Sequence, residues 1–60
     1  MGKVIAVEGY KAFSGCMLIE FINCPSQYIR GDWLYRPDTG CWYCNGLSYP
    51  AAICSIWEVE

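Results

Sequence analysis

Cys41-Trp42-Tyr43-Cys44, followed by Asn45-Gly46, holds two cysteines at the spacing of half a zinc site or of a redox pair. Zinc binds four ligands, and the second half should be another close pair of Cys or His. The chain has no histidine, and its other cysteines, Cys16, Cys24 and Cys54, stand far apart. An assembly drawn from Cys24, Cys41, Cys44 and Cys54 is the remaining zinc alternative. A redox CxxC needs its first thiolate at a helix N-terminus, where backbone N–H groups lower the pKa. Here a turn follows, and the aromatic residues between the cysteines favour an extended chain. Side chains alternate faces along a strand, so Cys41 and Cys44 should point to opposite sides. The expectation is strand cysteines that fill small volumes, with no metal and no cofactor.

Other catalytic groups are thin. Without histidine, acid–base chemistry falls to Asp32, Asp38 and four glutamates. The two aspartates sit in turn-like stretches, where a carboxylate usually accepts from nearby backbone N–H groups. Ser14, Ser26, Ser48 and Ser55 have no activating neighbour in sequence. The glycines of Gly9-Tyr-Lys-Ala-Phe-Ser-Gly15 lack the spacing and the lysine of a phosphate loop. A non-enzymatic role is expected.

Sixty residues make one domain, spanning 1–60. A chain this short buries only ~60% of its unfolded surface, so its core is marginal alone. Yet 55% of it is hydrophobic and 17% aromatic, against 17% charged. That is too apolar for disorder, and it predicts apolar patches that a partner must cover. A homo-oligomer is therefore expected. The net charge is −2, and the four basic residues are scattered, a poor footprint for duplex DNA. No stretch reaches the ~20 apolar residues of a membrane span, and Val4-Ile-Ala-Val7 is too short for a signal peptide. A soluble, cytoplasmic protein without membrane contact is the reading.

The elements expected are all β. Lys3–Glu8 and Met17–Ile22 read as strands, with Gly9 and Gly15 making a turn or bulge between them. Both faces of Met17–Ile22 are mostly apolar, as in a strand covered on two sides. Asn23–Asp32 reads as a loop. Pro37-Asp38-Thr39-Gly40 predicts a hairpin turn closed by a glycine at positive φ, joining Trp33–Arg36 to Cys41–Cys44. Trp33 and Tyr35 share a face of one strand, and Trp42 and Cys44 a face of the other. Pro50 predicts a single helical turn through Ala51-Ala52, and Ser55–Val59 a closing strand.

About five strands with a helical turn before the last resemble the layout of an SH3-like small barrel. The likeness runs from Trp42 through Gly46 and Tyr49-Pro50 to the last strand, and it implies no functional residue. A curved antiparallel sheet completed by oligomerisation is the competing architecture.

Two functions fit. The first is an oligomeric interaction module that binds another protein, as Trp and Tyr are enriched in binding hot spots. Small proteins of this kind are common among phage and mobile-element products that inhibit host-defence nucleases, the anti-CRISPR proteins among them; size and class, not any residue, carry that expectation. The second is single-stranded nucleic-acid binding. Trp33, Tyr35, Trp42 and Tyr43 would stack bases and Arg30 and Arg36 would meet phosphates. Against it stands the plainer reading of these rings as core.

Overall fold

The computed structural model describes residues 2–59, and the side chains of residues 2–58. Six strands form one open antiparallel sheet: β1 (Gly2–Ala6), β2 (Ala12–Ile19), β3 (Gln27–Arg36), β4 (Cys41–Cys44), β5 (Leu47–Pro50) and β6 (Cys54–Val59). Their spatial order is β1-β6-β2-β3-β4-β5. Among the described residues the one helical element is a 3₁₀ turn at Ala51–Ile53. It follows Pro50 as the sequence predicts, because proline fixes φ for a first helical turn and needs no N–H there.

The two clearest turn signals are realised. After β3, Arg36 O accepts from Thr39 N at 3.3 Å and from Gly40 N at 2.8 Å. Gly40 takes φ +69°, which closes the turn at no steric cost. Asn45 and Gly46 sit at φ +52° and +79°. These are the values of a two-residue turn whose twist matches the flanking strands. That turn creates β5, the strand by which the sheet exceeds the five expected.

The central strands differ from expectation. β2 begins at Ala12, so Gly15 lies inside it and makes no turn. There its φ of +148° lets the Phe13 ring settle over the backbone, where a Cβ would come within 2.7 Å of that ring. β2 ends at Ile19, because Asn23 at φ +64° and the Cys24 N–H donating to Phe21 O turn the chain away. Phe21 and Ile22 therefore leave the strand, and Ile22 is 90% exposed. The expected loop Asn23–Asp32 is strand from Gln27 onward. Eight residues of β2, Ala12 to Ile19, pair with Leu34 back to Gln27, and that ladder outweighs local polarity.

Alternation sorts the side chains into two faces. Met17, Ile19, Trp33, Trp42, Cys44, Cys54 and Ile56 form the core, with Ile5, Phe13, Ile29, Tyr35 and Tyr49 packed against it. Leu18, on the other face of β2, is also buried, as the two-sided reading of that strand requires. Trp33 and Trp42 are 2% and 1% exposed. A single protomer thus hides two of its three indoles, which the composition argument did not foresee. Curling makes this feasible. Tyr49 on β5 reaches Trp33 on β3, with ring centroids 5.9 Å apart, and Phe21 beyond β2 at 6.3 Å.

Gly31 is a tight point in this core, since a Cβ there would lie 2.6 Å from Cys44 Sγ. Gly31→Ala should destabilise the fold by ~1–3 kcal/mol through overpacking. Gly31→Ala combined with Cys44→Ala should recover part of that loss in urea unfolding. Additive losses would show that the two positions do not meet.

Candidate functional site

The residues singled out as a binding surface divide between the two faces of the sheet. Trp33, Tyr35 and Trp42 lie on the core side, where Tyr35 is half-buried and its ring packs tilted at 5.5 Å against Trp42, its cross-strand partner. Arg30, Arg36 and Tyr43 are on the outer face. Arg36 lies 5.8 Å from the Tyr43 ring centre and forms an exposed ion pair with Asp38 at 3.2 Å. The Tyr43 hydroxyl donates to Thr39 Oγ1 at 3.0 Å. Four rings therefore do not form one stacking platform. The alternation of strand faces separates Tyr43 from its neighbour Trp42.

The five cysteines are free thiols that differ in burial. Cys44 and Cys54 are buried, Cys16 and Cys41 half-buried, and Cys24 exposed. Among the described residues no group of three or more His, Cys, Asp or Glu side chains is placed to hold a metal ion. The Cys41 thiol donates to Thr39 O at 3.5 Å and that of Cys54 to Pro50 O at 3.3 Å. Burial pushes the Cys54 thiol up to about 11, and the neighbouring Cys41 adds to the shift. A thiol held neutral this way is a poor nucleophile and metal ligand.

A cleft of about 390 Å³ lies between the β1–β2 loop and the 3₁₀ turn. Val7, Glu8, Gly9 and Tyr10 form one wall, Ala51 and Ala52 the other, and Tyr35 and Trp42 complete the lining. The loop is a tight turn in which Tyr10 N donates to Val7 O at 3.1 Å and Gly9 takes φ +87°. The opposite wall is anchored by Ala51 N, which donates to Gly40 O at 3.0 Å. Two turns fixed by backbone bonds thus hold the walls apart. Of the lining residues only Glu8 carries charge. The indole N–H groups of Trp42 and Trp33 are buried and lack an acceptor among the described residues. Orphaned donors of this kind are uncommon in finished cores.

Sequence reasoning picked Tyr35 and Trp42 and missed the loop wall. The signal was present in Glu8-Gly9-Tyr10, a glycine turn carrying an aromatic, but turn chemistry does not reveal which other element the turn faces. A second hollow, on the outer face, is lined by Ser14, Cys16, Arg30, Trp57 and Glu58 among others. Ser14 there donates to Asp32 Oδ1 at 2.8 Å.

Comparison of the chain with protein-family models, curated proteins and solved structures gives no match. No helix among the described residues is long and apolar enough to cross a membrane.

The Cys54 thiol yields a pH prediction. A thiol pKa raised from 9.0 to about 11 in the folded protein stabilises the fold fully below the unfolded value and loses that contribution as pH rises through the folded one. Stability should fall from pH 9.0 toward about 11, and less steeply in Cys54→Ala, as read by urea unfolding. Equal slopes in the two proteins would refute the assignment.

Proposed function

We propose that the protein is a non-enzymatic, self-associating interaction module whose cleft between the β1–β2 loop and the 3₁₀ turn binds an extended segment of another protein. The cleft carries this reading: its walls are apolar and aromatic, its single charge is negative, and no basic residue lines it. Ligand sites combine apolar lining with a few placed polar groups, and here the polar side chains among the lining residues are those of Glu8, Tyr10 and Tyr35. A phosphate backbone would meet Glu8 and no cation, which disfavours nucleic acid at this site. The segment that fits carries apolar side chains and a Lys or Arg to face Glu8.

The SH3-like layout agrees with this reading. A 3₁₀ turn between the fifth and last strands, and the reach of Tyr49 across to Phe21 and Trp33, support a sheet curled toward a small barrel. Inhibition of a host-defence nuclease by a phage or mobile-element product is the setting that size and class favour. Such an inhibitor needs only to occupy a protein surface.

The test is selection from a random peptide library, followed by NMR titration of the selected peptides. Enrichment of basic peptides that perturb Tyr10, Tyr35 and Trp42 is expected. Ala52→Trp, which fills the cleft, and Glu8→Lys, which reverses its charge, should each weaken binding roughly tenfold or more while leaving the melting temperature nearly unchanged, because both sites are exposed. Peptides that shift only outer-face resonances, or binding that both variants retain, would reject the cleft. Salt-sensitive quenching of tryptophan by oligonucleotides would instead favour the outer face, where Arg30 and Trp57 share a hollow.

A further inference from the structure

We infer that the outer edge of β1 is the self-association surface, and that two copies pair there antiparallel about Val4. This rests on the self-associating part of the proposed function and supplies its interface.

The direction of the main-chain hydrogen bonds fixes which groups of β1 point outward. In antiparallel sheets each residue turns both its N–H and its C=O to one side, and successive residues alternate. Glu20 N donates to Ile53 O at 3.0 Å, so odd-numbered residues of β6 face β2 and even-numbered ones face β1. Tyr35 N donating to Lys11 O at 2.9 Å gives the same alternation when carried across β3 and β2. Ile56 stands opposite Ile5, and Glu58 opposite Lys3. Lys3 and Ile5 therefore bond to β6. The main-chain groups of Gly2, Val4 and Ala6 point outward, and no strand among the described residues lies beyond them.

The opposite edge differs. The two-residue turn at Asn45-Gly46 makes Cys44 and Leu47 a bonded pair, so Ser48 and Pro50 face outward from β5. Pro50 has no N–H, and Ser48 is left as the outward donor of that edge. Proline on a sheet edge is a common guard against pairing. β1 carries no such guard: its one charge, Lys3, belongs to the inward-bonding set.

The strand is self-complementary. Val4 is the midpoint of Gly2–Ala6. A two-fold axis through paired Val4 residues sets Gly2 against Ala6 of the second copy and Lys3 against Ile5. Like charges are never opposite. Three bonded pairs give about six new main-chain hydrogen bonds, two per pair. Val4 is 51% exposed and stands opposite Trp57, which packs edge-on against Tyr28 at 5.3 Å. Pairing about Val4 brings two such apolar strips together on the outer face. An isologous contact of this kind closes as a dimer, with no fibre growth.

The experiment is sedimentation equilibrium of the wild type, Val4→Pro and Val4→Lys, with amide exchange measured by NMR over a concentration series. Val4→Pro removes an outward donor that the monomer does not use, and Val4→Lys places charge on the edge. Retained β-sheet circular dichroism confirms folding, and the lysine variant stands if proline fails to fold. The wild type is expected to dimerise. Both variants should dissociate roughly tenfold or more readily, and exchange at Val4 and Ala6 should slow with concentration while Ser48 stays fast. A wild type that remains monomeric at about millimolar concentration, far weaker than a specific dimer, would overturn the interface and self-association together. A dimer that both variants preserve would overturn the β1 interface and leave self-association and the cleft intact.

Discussion

The structure depends on a sheet of under sixty residues covering its own core face. A flat sheet of this size would leave Trp33 and Trp42 in water. Curling brings Tyr49 from the fifth strand over Trp33 and toward Phe21, which replaces the second layer that a larger domain would supply. Each fully buried aromatic removes 150–250 Å² from water, at roughly 25 cal/mol per Å². Burial of this order outweighs the modest strain of bending strands, and glycines sit where the bend crowds the backbone. Gly15 beneath Phe13 and Gly31 beside Cys44 are two such points.

The cleft follows from the same curl. Once β4 and β5 fold over the core, the 3₁₀ turn after Pro50 comes to face the loop after β1. Ala51 and Ala52 leave the space open where larger residues would fill it. Of the residues that line the cleft, Glu8 alone is charged. Cys54 is neutral by burial, and Ser14 donates to a carboxylate.

How much was legible in the sequence varies with the range of the interaction. The hairpins at Pro37–Gly40 and Asn45-Gly46 are local, because the residues that need positive φ are the ones that supply it. The helical turn at Pro50 is local for a similar reason. Gln27–Asp32 reads as loop in the sequence and is strand in the fold, because its strand character comes from β2, which lies earlier in the chain and pairs with it along its whole length. The candidate site was half legible. Tyr35 and Trp42 stand out by type, whereas Glu8, Tyr10 and Ala52 join them only through the curl.

The sequence by itself determined the class of fold, the positions of the tight turns and the opposite facing of Cys41 and Cys44, since backbone sterics and strand alternation act over a few residues. Tertiary structure alone decided that β6 inserts between β1 and β2. It also decided which rings are core, and it left β1 at an open edge while Pro50 guards the other. Those outcomes hinge on which distant strand wins each main-chain hydrogen bond, and no short stretch of residues carries that information.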